Sequence, residues 1–183
     1  MVREQPGMQD AQGATAPVHD LAVASQDARR DVERAMALLA PFVEATIADR
    51  DVSHDGALVV VTMNPHASPS TPFDEAILAT HSFGRAMSCD VDYSRYALDK
   101  ARASHRERCD TAVLRERGAA LLTADLPFVG GLHRQGWTVA VAGASPAFDE
   151  AFAAIAIELL VALAQKRAAK SGVATHARRN HDA

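Results

Sequence analysis

Residues 126–150, LPFVGGLHRQGWTVAVAGASPAFDE, constrain this chain more than any other stretch. Gly130 and Gly131 permit positive φ or the close approach of another backbone, which a side chain would block. The run His133, Arg134, Gln135, Gly136 reads as a hairpin turn with its glycine in the left-handed position. Residues 137–142, WTVAVA, alternate large with small, as a strand does between one crowded face and one close-packed face. Gly143 ends the strand. Ser145 then suits a helix N-cap, Pro146 the first helical position, and Asp149 and Glu150 the first turn, where the helix dipole favours acids.

The remaining chain supplies layers to pack on that unit. A helical pattern starts near Asp20 and places Val32, Ala35, Met36, Leu39, Val43 and Ile47 on one face. Pro41 implies either a kinked helix or two helices meeting there. Residues 57–63, ALVVVTM, lack any charged interruption and read as a central strand covered on both sides. The proline-rich run 64–72 is a connection, and 75–83 a second strand. A helix over 92–108 sets Tyr93, Tyr96, Ala97, Lys100, Ala101 and Ser104 on one face. A short helical piece follows at 110–117, then an irregular approach over 119–128 to the glycine pair. The last helix carries Phe148, Phe152, Ile155, Ala156, Leu159, Leu160 and Leu163 as an apolar stripe. Two hairpins separated by helices imply an α+β layered domain on an antiparallel sheet of four to five strands.

Length and charge bound the rest. The 183 residues fit one domain over 20–169, with disordered tails at 1–19 and 170–183. No apolar run reaches the ~20 residues of a membrane span, and the N-terminus has no signal-peptide pattern, so a cytoplasmic protein is expected. Net charge is −4, and the last eighteen residues hold five basic side chains against Asp182, so the first 165 carry −8. That balance argues against nucleic acid as a partner. Cys89 and Cys109 are too few for a disulfide framework and lack zinc-site spacing.

Candidate chemistry is sparse. Walker, GxSxG, HExxH and Rossmann patterns do not occur. Lys100 lies mid-face on its helix, where it either snorkels past its neighbours or meets an anion. The helix start at Ser145 and Pro146 is a potential anion site, and with Lys100 it would suit a carboxylate or a haem propionate. His81, His105 and His133 are candidates to converge at the sheet edge, where neutral imidazoles would ligate a transition metal or haem iron.

The run VDYSRYALDKARAS resembles the alanine-rich helix of the GlcG/HbpS (DUF336-like) family, with its Lys-Ala pair. The stretch GGL…GWTVAVAGASPAFDEAFA resembles that family's Gly-Gly segment, strand and Ser-Pro signature. The likeness spans roughly 58–160 and marks a divergent member: Leu132 stands near a favoured proline, and Ala103 where threonine is common. It implies a profilin-like α/β/α layered fold, haem or another tetrapyrrole as ligand, and a homo-oligomer. By position, Lys100, Ala101, Gly130, Gly131, Ser145, Pro146 and Asp149 are its family-like residues.

Three readings follow. The first is a small-molecule-binding protein, accessory or sensory, whose pocket is formed by Lys100, Ser104, Gly130, Gly131, Ser145 and Asp149, with His81, His105 or His133 as axial ligand to a haem. The second is an enzyme on a small organic acid, using Lys100 as carboxylate clamp or acid/base with His105 or His133 assisting. The third is an interaction module that dimerises through the exposed part of the apolar helix stripe.

Overall fold

The computed structural model describes residues 18–118 and 129–179. The approach expected at 119–128 and most of the tail expected at 1–19 lie outside the described residues. In chain order the elements are α1 (Val18–Ile47), β1 (Ala57–Met63), α2 (Phe73–Ala76), β2 (Ile77–Gly84), α3 (Tyr93–Glu107), α4 (Thr111–Glu116), β3 (Gly131–Arg134), β4 (Trp137–Ala142) and α5 (Pro146–Arg179). The strands form one antiparallel sheet in the order β2-β1-β4-β3. The fold is α+β.

Side-chain alternation sorts the two faces. Leu58, Val60, Val139 and Val141 point to the layer made by α1 and α5, where they meet Val32, Leu39, Phe152, Ala156 and Leu160. Val59, Val61, Ala140 and Ala142 point the other way, onto Ala97 and Ala101 of α3. The alanine-on-alanine contact lets α3 lie close to the sheet, which is the close-packed face expected of β4. All seven residues of β1 and all six of β4 are buried, as fits strands covered on both sides.

Several boundaries moved. The strand expected from residue 75 starts at Ile77, because Pro72 opens one helical turn in which its carbonyl accepts from Glu75 N and Ala76 N at 3.0 Å each. The hairpin turn is only Gln135 and Gly136, with φ of 51° and 82°; His133 and Arg134 belong to β3. Two consecutive left-handed residues give the tight turn whose twist matches its strands. Pro41 sits inside one helix on its exposed side, where water can serve the carbonyl it displaces. α5 continues as helix to Arg179, past the tail boundary expected at 170, since no proline interrupts it. Its buried face is Phe152, Ala153, Ala156, Ile157 and Leu160, while Phe148 and Ile155 of the expected stripe face outwards.

The turn between α1 and β1 ties the strand-to-helix handover in place. Ser53 Oγ donates to Gly143 O at 2.7 Å, and Ser145 N donates to Val52 O at 2.7 Å. Gly143, at φ +125°, passes so close to Ala57 that a side chain there would strike its carbonyl. The start of α5 is therefore held over the end of β4, facing the N-terminal half of α3.

Candidate functional site

Lys100 comes from the middle of α3 and Asp149 from the first turn of α5, and they meet beneath that handover. The lysine is 2% exposed; its Nζ donates to Asp149 Oδ2 and to Val141 O, both at 2.7 Å. The other carboxylate oxygen, Oδ1, accepts from Ala144 N at 3.0 Å. The anion met by Lys100 is thus the chain's own, and the lysine neither snorkels nor waits unpaired for a ligand.

Glycine makes the space for this pair. Gly130 has φ +116°, and a Cβ on it would stand 2.7 Å from Asp149 Cβ and 3.1 Å from Lys100 Nζ. A Cβ on Gly131 would be 2.8 Å from both Lys100 O and Ser104 Oγ, so its absence lets α3 rest on β3. Thr111 Oγ1 closes the other side, accepting from Gly131 N at 3.0 Å and lying 3.1 Å from Gly131 O.

Burial dominates both pKa values. It pushes the Asp149 carboxyl up to about 6, against the opposing pull of the Lys100 ammonium and the Ala144 amide. It also lowers the Lys100 ammonium, outweighing the support of Asp149. Burial thus narrows the gap in proton affinity between the two groups relative to an exposed ion pair.

Above the pair lies a cleft of about 280 Å³, lined by Val91, Tyr93, Tyr96, Ala142 to Ala144 and Pro146, with Lys100 and Asp149 as its floor. Tyr93 donates to Asp55 Oδ2 at 2.5 Å; burial, then that bond, raises its pKa. Tyr93 and Tyr96 had a signal in the sequence, because they stand seven and four residues before Lys100 on its face. Asp55 had none, being brought in from the loop before β1.

The other expected site residues are placed elsewhere. Gly130, Gly131, Ser104 and Ser145 are not among the cleft-lining residues; Gly130 packs against the Lys100–Asp149 pair, and Gly131 and Ser104 lie at the α3–β3 contact. His81 stands opposite Val60 on β2, on the α1 face of the sheet, where burial lowers its pKa against the charge of Glu33. His105 and His133 lie on the α3 face at the opposite sheet edge. The three histidines do not converge: β2 and β3 are separated by β1 and β4, roughly 14 Å at the usual strand spacing. His105 and His133 do influence each other, and both pKa values are lowered, first by burial and then by the Arg108 charge. His133 Nδ1 lies 2.8 Å from Thr138 Oγ1, whereas the ring of buried His105 has no well-aligned hydrogen bond and only the Ser68 backbone near enough to favour its charged form. His105 is also five residues along α3 from Lys100, about 7 Å further from the cleft.

A haem is not suited to this cleft. None of the described lining residues is a histidine, cysteine or methionine, and Tyr93 is held away from the phenolate form by Asp55 and burial. The volume also falls just under the ~300–1,000 Å³ of pockets for drug-sized ligands. Among the described residues, no three His, Cys, Asp or Glu side chains are placed to hold a metal ion. No described helix is long and apolar enough to cross a membrane.

The class defined by these features is an α+β domain with helices on both faces of a four-stranded antiparallel sheet and a small cleft over a buried ion pair. No family model and no curated protein matches the chain. Among solved structures it is similar to Klebsiella pneumoniae protein ORFY, described by the family model DUF336. The two are 17% identical, the match covers 86% of this chain and 99% of that one, and the TM-score is 0.47.

Proposed function

We propose that this protein binds a small neutral molecule, planar and bearing a carbonyl-type acceptor, in the cleft above Lys100 and Asp149. One observation carries the reading: a fully buried lysine forms the floor of a cleft walled by two tyrosines. An ammonium group has three donors, and Val141 O and Asp149 Oδ2 take two. The third serves a ligand oxygen, while Tyr93, Tyr96 and Pro146 offer flat apolar contact.

Charge selects against the carboxylate and propionate ligands expected from the sequence. Asp149 already neutralises Lys100, Asp55 lies behind Tyr93, and Glu150 contributes further negative charge near the lysine. An added anion would meet a site that is negative on balance; a neutral amide or ketone would not.

Thermal-shift and calorimetric titrations with benzamide and nicotinamide, against benzoate and nicotinate, test this. The amides raise Tm and the acids do not. Val91 is exposed at the cleft mouth, so Val91→Trp fills the opening without touching the core and abolishes the shift while far-UV circular dichroism is unchanged. No stabilisation by any neutral compound, or a shift that survives Val91→Trp, overturns the proposal. Hemin separates it from the tetrapyrrole reading: no Soret shift is expected, and one that disappears in a His105→Ala/His133→Ala variant would restore that reading.

A further inference from the structure

The one fully buried cation among the described residues is a lysine, in a chain that otherwise relies on arginine. Of nineteen lysine and arginine residues only three are lysine: Lys100, Lys166 and Lys170. The last two are exposed on α5, and no described arginine is buried. A guanidinium can also pair with a carboxylate but never gives up its proton, whereas a buried amine does so readily. Lys100 has the setting that such a change needs. Its Nζ is 2.7 Å from Asp149 Oδ2, and the same side chain forms the floor of a cleft whose mouth, at Val91, is exposed. Burial raises the proton affinity of the carboxyl and lowers that of the amine, so passing a proton between them costs less than at the surface.

We infer that Lys100 Nζ is a nucleophile, and that the cleft captures a small planar aldehyde on it as an imine. This capture rests on the binding proposed above and concerns the same flat, neutral, carbonyl-bearing molecules, narrowed to those whose carbonyl carbon is electrophilic. Tyr93, Tyr96 and Pro146 hold the ring, and the carbonyl points at the floor. An amide carbon resists attack by an amine, so benzamide and nicotinamide stop at binding, whereas the corresponding aldehydes go on to react.

The step balances with no further reactant. Asp149 Oδ2 takes one proton from the ammonium across their hydrogen bond, and a turn about the Cε–Nζ bond aims the freed lone pair into the cleft. That pair forms the C–N bond, the C=O π electrons move to oxygen, and the oxygen receives a proton from nitrogen to give a neutral carbinolamine. The Asp149 carboxyl then returns its proton to the new hydroxyl, the C–O bond breaks, and one water leaves through the cleft mouth. The product is a protonated imine whose single N–H stays on the Asp149 carboxylate. The buried site therefore ends with the charges it began with, and no ion is stranded. Nothing is oxidised or reduced, and water reverses the reaction.

Reductive trapping of the full chain tests it. Sodium cyanoborohydride fixes an imine as a secondary amine, and peptide mass mapping after exposure to pyridine-3-carboxaldehyde at neutral pH reads which amines reacted. Lys166 and Lys170 serve as internal standards. Lys100 is labelled about tenfold or more faster than either, and in urea the three are labelled at equal rates. Because Lys100→Met weakens the fold, the controls leave the lysine in place: excess nicotinamide and Val91→Trp each slow labelling at Lys100 and leave the other two unchanged. Labelling of Lys100 no faster than the standards overturns the inference, and so does labelling that neither nicotinamide nor Val91→Trp slows. If nicotinamide still raises Tm in that case, the imine alone falls and the binding stands; if no neutral compound raises Tm, the binding falls as well.

Discussion

Replacing Lys100 with methionine leaves the Asp149 carboxylate buried with only the Ala144 amide for a partner. The side chains of the pair are 2% and 4% exposed, so solvent cannot take the place of the lost cation. Removing one member of a buried pair costs about 3–5 kcal/mol, a large part of the ~5–15 kcal/mol by which a domain is stable. For a chain of this length that lowers Tm by on the order of 10 °C. Asp149→Leu alone, which strands the ammonium, carries a similar cost. In Lys100→Met/Asp149→Leu no buried charge remains, and the double variant regains most of the loss, short by about 1 kcal/mol for the bond from Ala144 N.

The pH dependence gives a second handle on the same pair. Asp149 already has a folded-state pKa of about 6, above its ordinary 3.8, and it rises further without the lysine. A carboxyl raised in the folded state is costly when ionised and relieved when protonated. The deficit of Lys100→Met is therefore full at pH 8 and shrinks as pH falls below the folded pKa. Urea unfolding followed by circular dichroism at pH 8 and pH 5 measures both effects. A Lys100→Met loss below about 1 kcal/mol at pH 8 would refute the reasoning, because the pair would then be solvated. Single-variant losses that simply add in the double variant would refute it as well.

Other predictions follow from neighbouring features. Gly130→Ala should destabilise by more than about 2 kcal/mol in urea unfolding, since φ +116° and a 2.7 Å approach to Asp149 Cβ act together; tolerance of alanine there would mean the pair is not packed against the glycine. His81, His105 and His133 have folded pKa values lowered by burial from the ordinary 6.5, so the unfolded chain takes up protons first. Their contribution is complete above pH ~6.5 and is lost as pH falls towards the folded values, while Asp149 acts in the opposite sense below about 6. His105→Leu should flatten the loss of Tm between pH 7 and pH 5, and an unchanged slope would exclude His105 as a source. Thr111→Val removes the acceptor for Gly131 N and should cost about 1–3 kcal/mol in unfolding; a neutral effect would mean that water replaces the hydroxyl.

Patterns that repeat along one element were legible. The face Val32 to Ile47 of α1, the bounds of β1 and β4 and the glycine pair are where periodicity and backbone chemistry put them, because each depends on residues a few positions apart. The large-small alternation of β4 gave one crowded and one close-packed face, and the structure lays α3 on the close-packed one. Boundaries set by longer-range geometry were less accessible: the turn opened by Pro72, the placement of His133 within β3 and the outward side of α5. The last depends on where α1 lies beside it, and both faces of α5 are rich in apolar residues.

The candidate site divides in the same way. Lys100 and Asp149 each carried a local signal, one as a lysine in the middle of an apolar helix face and the other as an acid in a helix's first turn. Forty-nine residues of chain separate them, and nothing local states that the two close on each other. The sequence by itself determined an α+β domain, two glycines that take positive φ or admit another backbone, and a mid-face lysine that either snorkels or meets an anion. Only the tertiary structure decided that the anion is internal, that Tyr93 reaches Asp55, and that His81 is separated from His105 and His133 by the width of the sheet. Local rules act over a turn of helix or a pair of strands; partner choice across layers follows from how the whole sheet is covered.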